Sequence, residues 1–69
     1  MKISARNMLK GKVAKIVKGP VSTEVSIQLP GGDMLVSVIT SASAENLGLK
    51  VGLEVYAVIK STNVMIAVD

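Results

Sequence analysis

Three short segments concentrate hydrogen-bond donors and contain no carboxylate: Ser4-Ala5-Arg6-Asn7, Thr40-Ser41-Ala42-Ser43 and Lys60-Ser61-Thr62. Donors without acceptor charge suit a negatively charged ligand. Arg6 offers a planar fork of N–H groups matched to oxyanions, and Lys60 offers a point charge. The middle segment leads into small residues and helix formers. Its backbone N–H groups, lacking intrahelical partners, would therefore add to the hydroxyls of Thr40, Ser41 and Ser43. Each feature also has an ordinary reading. Lone cations are commonly solvated, and a hydroxyl at a helix start is commonly a cap. Capping accounts for one hydroxyl rather than three, although Glu45 could itself complement a helix start.

The remaining composition narrows the chemistry. The chain has no Cys and no His, which removes disulfides and thiolate or imidazole ligands for a metal cation. The acidic residues Glu24, Asp33, Glu45, Glu54 and Asp69 form no evident acid–base pair. Lys60 or a serine as nucleophile lacks an adjacent base. Binding is therefore expected rather than catalysis, with no resident cofactor. The net charge is +3, and Lys2, Arg6, Lys10, Lys12, Lys15 and Lys18 all precede the first acid, Glu24. Such a surface attracts anions from nucleic acid to small oxyanions.

Those donors must be positioned by a small fold. With 69 residues, the chain reads as one domain over 1–69. A domain this small buries roughly 60% of its unfolded surface. Apolar residues make up 49% of the chain, yet Tyr56 is the only aromatic. That much aliphatic surface in so small a body predicts association with further copies. No apolar stretch is long enough to span a membrane. The basic, acid-free start shares its composition with transit peptides but lacks an apolar signal core, and its removal would cost the domain its first strand. The expectation is a mature, cytoplasmic protein.

Val21 to Leu29 alternates apolar and polar residues, the period of a half-buried strand. Pro30-Gly31-Gly32-Asp33 then predicts a turn, and Met34 to Ile39 a returning strand. Leu9 to Lys18 reads as an earlier strand closed by Gly19-Pro20. Thr40 to Leu47 predicts a short helix, with Thr40 or Ser41 as N-cap and Gly48 just past its end. Leu53 to Lys60 and Val64 to Val68 complete the strands, joined by a turn at Ser61-Thr62-Asn63. The expected fold is all-β: a five-stranded OB-like barrel with a short helix between strands three and four.

The motifs together resemble a family. Ser4-Ala5-Arg6-Asn7 followed by Leu9-Lys10-Gly11 looks like the opening of the molbindins, and Lys60-Ser61-Thr62-Asn63-Val64-Met65 looks like their closing motif. Gly31-Gly32, Ile39-Thr40 and Leu47-Gly48 also fit, so the resemblance covers essentially the whole chain. It implies an intracellular protein that binds molybdate or tungstate for storage or homeostasis. It also implies a homohexamer built as a trimer of dimers, with oxyanions held between subunits. By that analogy Ser4, the backbone of Ala5 and Arg6 come from one subunit. Thr40, Ser43, Lys60 and Ser61 come from a neighbour, with the Ala42 N–H contributing. Molybdate is a proton-free tetrahedral dianion that presents only acceptors, which matches sites made only of donors. The competing expectation is an OB-type nucleic-acid module. Such modules stack bases on aromatic platforms, for which Tyr56 alone is available.

Overall fold

The strands form where the chain is rich in β-branched and other aliphatic residues. A computed structural model describes all 69 residues. It contains β1 (Asn7–Lys18), β2 (Ser22–Gln28), β3 (Met34–Thr40), the helix α1 (Ser41–Asn46) and β4 (Glu54–Ile59), followed by a 3-10 turn at Ser61–Asn63. The strands make one antiparallel sheet in the order β3-β2-β1-β4.

β1 is the spine of this sheet. Its first half pairs with β4, from Asn7↔Ile59 to Lys12↔Glu54, and its second half with β2, from Lys12↔Gln28 to Lys18↔Thr23. The register slips between Val13 and Lys15, which marks a bulge at Ala14. A bulge bends the strand that carries it, here where β1 passes from one partner to the other. Gly11 sits at the same place because a side chain does not fit. A Cβ there would lie 2.7 Å from both the Gln28 carbonyl oxygen and Ile27 Cγ2.

The inward residues of the strands build a thin core. Val13, Val25 and Ile27 are buried, and Ile16, Leu35, Ile39, Leu49, Leu53, Val55 and Ala57 pack around them. Only six of 69 residues are buried, so much of the aliphatic content stays in contact with solvent. On β3 even the outward positions Met34, Val36 and Val38 are apolar and exposed.

Local signals account for the connections. The β2–β3 hairpin turns at Pro30–Asp33 as expected. Gly32 donates to the Leu29 carbonyl, Leu29 to that of Asp33, and Gly32 takes φ 98°. α1 ends in a Schellman arrangement: Gly48, at φ 64°, donates to the Glu45 carbonyl and Leu49 to that of Ala44.

Two expectations need correction. β1 starts at Asn7, two residues before the expected Leu9, because the pairing with β4 continues to Ile59. The fifth strand, expected over Val64 to Val68, does not form in the chain. Four strands make an incomplete barrel, and residues 64–69 belong to no strand and pair with none. The reason lies in the loop before them. A three-residue hairpin loop classically closes with a residue at positive φ. Positive φ occurs only at Gly32, Gly48 and Gly52, and Ser61-Thr62-Asn63 forms a 3-10 turn instead.

Candidate functional site

The backbone brings the first and third donor segments together. Because Asn7 pairs with Ile59, Ser4-Ala5-Arg6 at the entrance of β1 meets Lys60-Ser61 at the exit of β4. The Asn7 side chain secures the junction by donating Nδ2–H to the Ile59 carbonyl at 3.3 Å. Asn7 is therefore a structural member of its motif, and it ties the chain next to Arg6 to the chain next to Lys60.

Between the two segments lies an open cleft of about 530 Å3. Ser4, Ala5, Arg6, Lys60, Ser61, Thr62 and Asn63 line it, over an apolar base of Ile3 and Val58. No carboxylate borders it. The chain has a single ion pair, Lys10 with Glu54, so Arg6 and Lys60 face this cleft with no acidic partner. Two cations, two or more hydroxyls and no acceptor charge make a surface that attracts a dianion and repels nothing about it.

The middle segment is arranged differently. Thr40 is the N-cap of α1: its Oγ1 accepts from the Ser43 N–H at 3.0 Å and its proton goes to Ser43 Oγ at 2.7 Å. Ser43 has one hydroxyl proton of its own, which this arrangement leaves free to point outward. Ser41 is fully engaged. Its hydroxyl donates to the Gly19 carbonyl at 2.6 Å, and its N–H donates to that of Val21 at 2.8 Å. Thr23 Oγ1, buried beside it, lies 2.8 Å from Ser41 Oγ. Since the single Ser41 proton is on Gly19, Thr23 is the donor in that pair. Among the first-turn N–H groups, those of Ser41 and Ser43 are taken, and that of Ala42 has no partner in the chain. The first turn thus offers outward one N–H, from Ala42, and one hydroxyl, from Ser43.

The chain does not bring this pair to the Arg6–Lys60 cleft. Thr40 pairs with Ser22, beside the Lys18 end of β1, whereas Arg6 precedes the Asn7 end. The twelve residues of β1 lie between them. At about 3.3 Å per residue, even a bent β1 separates its ends by several times the ~3 Å length of a hydrogen bond. The eight expected donors therefore fall into two groups. Ser4, Ala5, Arg6, Lys60 and Ser61 form one, and Thr40, Ala42 and Ser43 the other. The resemblance grouped Lys60 and Ser61 with Thr40 and Ser43; within the chain they stand with Arg6.

Sequence reasoning missed one further cluster. Lys10 Nζ lies 3.0 Å from Glu54 Oε1 and 6.0 Å from the centroid of the Tyr56 ring. The hydrogen bond and charge of Glu54, aided by Tyr56, raise the Lys10 pKa above the usual lysine value. Lys10 and Glu54 are diagonal across the β1–β4 ladder, a spacing visible only once the register is known.

Comparison with known proteins places these features in a wider group. The TOBE domain family matches residues 3–66. "Molybdenum-pterin-binding protein 3" of Clostridium pasteurianum is 56% identical over 66 residues, covering 96% of this chain and 97% of that protein. Among solved structures, a molybdate-binding protein from Sporomusa ovata superposes with a TM-score of 0.91 at 39% identity, covering 97% of this chain and 98% of that one. The cytoplasmic molybdate-binding protein ModG, with molybdate bound, superposes with a TM-score of 0.85 at 52% identity. That match covers 88% of this chain and 43% of ModG.

Proposed function

The chain belongs to the TOBE domain family, and from that membership we propose that it binds molybdate, with tungstate as the alternative ion, inside the cell. One observation carries the reading: Arg6 and Lys60 share a carboxylate-free cleft and have no ion-pair partner. Two uncompensated cations match the two charges of a proton-free dianion. Ser4, the Ala5 backbone and Ser61 supply further donors around it. The relatives' names, molybdenum-pterin-binding and molybdate-binding, agree with that chemistry, and ModG is described as cytoplasmic. The proposed role is reversible binding for storage or homeostasis by a single domain over 1–69, with no catalytic step and no resident cofactor.

The site is completed between copies. The Ala42 N–H, the Ser43 hydroxyl and their cap Thr40 lie too far along β1 to meet the Arg6–Lys60 cleft of their own chain. A neighbouring copy supplies them, in a homo-oligomer for which the resemblance implies three dimers. Thr40 then serves by holding Ser43, and it joins the anion by turning its own proton away from Ser43.

Calorimetric titration with molybdate, tungstate, sulfate and phosphate tests this reading on the wild type, Arg6→Ala and Lys60→Ala. Losing one charge-assisted hydrogen bond costs about 1.5–3 kcal/mol, so each variant should bind molybdate about 10- to 100-fold more weakly. Unchanged affinity in both variants removes the site assignment.

A further inference from the structure

The donors of the proposed anion cleft stand around it, but its base is hydrocarbon. Ser4, Arg6, Lys60 and Ser61 line an opening of about 530 Å3 over Ile3 and Val58. Ile3 adjoins Ser4 in the chain, and Val58 lies on β4 two residues before Lys60, at an exposed position of the alternation. The two are 51% and 39% exposed, so a ligand entering the cleft meets their side chains. Exposed apolar residues beneath two unpaired cations call for an explanation that charge alone does not give.

A tetrahedral oxyanion fills only a small part of this opening. Such an ion occupies on the order of 100 Å3, a few times the share of a water molecule in the liquid. The walls of one chain therefore set no close limit on size. What they set is how much of the ion's lost water is replaced. At equal charge, removing a smaller ion from water costs more, because the cost varies inversely with its radius. Attraction to Arg6 and Lys60 also favours the smaller ion, but less steeply, since it follows the distance between charge centres and that distance includes the donor group. Donors on all sides let the two trends offset. Hydrocarbon on one side removes part of the compensation, and the larger ion then binds better.

We infer that Ile3 and Val58 determine specificity: their apolar floor selects large, weakly hydrated dianions such as molybdate and tungstate over sulfate, by leaving one side of the ion without donors. The inference rests on the reading of this cleft as the anion site. The Ala42 N–H and Ser43 hydroxyl proposed to come from a neighbouring copy add donors from another body and leave the floor as it is.

Calorimetric titration of the wild type with sulfate, selenate, molybdate and tungstate, in mildly alkaline solution where all four are dianions, tests it. Affinity should rise with ion size from sulfate through selenate to molybdate and tungstate. Val58→Thr keeps nearly the shape of valine and the branching that suits a strand, and it puts a hydroxyl on the floor. A full hydrogen bond to a charge is worth about 10- to 100-fold. Molybdate gains part of that too, so the ratio of sulfate to molybdate affinity should rise by about 3- to 10-fold. Val58→Ala changes the depth of the floor without adding a donor and should leave the ratio unchanged. Ile3→Thr, outside every strand, repeats the threonine test with β4 untouched. An unchanged ratio in both threonine variants overturns the inference, as does a ratio that shifts more in Val58→Ala than in Val58→Thr, since the floor then acts by shape. A wild type that binds the four ions alike overturns it as well. No heat from any of the four ions overturns the anion site itself, and this inference with it, so the two failures are distinguishable.

Discussion

Removing the two hydroxyls of the Thr23–Ser41–Gly19 relay one at a time should give unequal losses, because the protons run in one direction. Thr23 donates to Ser41, and Ser41 donates to the Gly19 carbonyl. Thr23→Val keeps the shape of a residue that is only 1% exposed and deletes the first donor. Ser41 keeps its bond to Gly19, so one neutral hydrogen bond is lost, about 1 kcal/mol. Ser41→Ala is worse. It leaves the buried Thr23 hydroxyl and the Gly19 carbonyl without partners, and orphaned buried groups cost about 1–3 kcal/mol each. Gly19 is half-buried and within reach of water, so the total should be about 2–3 kcal/mol. Thr23→Val combined with Ser41→Ala removes the orphaned hydroxyl and should cost about 2 kcal/mol, less than the sum of the singles. A domain of this size loses about 4–8 °C of Tm per kcal/mol. Thermal melts at one fixed protein concentration, with urea titrations beside them, would measure the cycle. A Thr23→Val loss equal to or above that of Ser41→Ala, or strict additivity in the double variant, refutes the assigned proton direction.

Gly11→Ala should destabilise by about 1–3 kcal/mol, seen as a lower urea midpoint, because one of the two atoms 2.7 Å from the new Cβ is a backbone oxygen that cannot swing aside. Ser43→Ala should weaken molybdate binding more than Ser41→Ala does, as read by calorimetry, since the Ser41 proton is already committed to Gly19. Saturating molybdate should raise Tm, by the equivalent of about 2.7 kcal/mol at 100 times Kd, and an unchanged melt counts against binding to the folded assembly. NMR titration should find Lys10 deprotonating above the usual lysine range, and Glu54→Gln should return it there. A lysine whose folded pKa is raised contributes stability below its unfolded pKa and loses it as pH rises through the folded value. Any effect of this pair on stability should therefore vanish only in strongly alkaline solution.

Local chemistry was legible in the sequence wherever a residue's role depends on its near neighbours. The alternation of Val21 to Leu29 predicts β2, Pro30-Gly31-Gly32-Asp33 predicts the hairpin turn, and Thr40 or Ser41 with Gly48 predict the two ends of α1, of which the structure takes Thr40 as the N-cap. Each is decided within a few residues by steric limits on φ and by the need to satisfy backbone groups. The donor-rich character of Ser4–Asn7, Thr40–Ser43 and Lys60–Thr62 is likewise a property of residue type.

Tertiary structure alone decided which of these segments meet. The pairing Asn7↔Ile59 puts Arg6 beside Lys60, and the length of β1 keeps Ser43 away from both. The fold also committed the Ser41 proton to Gly19, gave Asn7 a structural bond, and set Lys10 against Glu54. Val64 to Val68 shows the limit most clearly. Its apolar pattern is that of a strand, but a strand exists only where an edge accepts it, and residues 64–69 pair with no strand of their own chain.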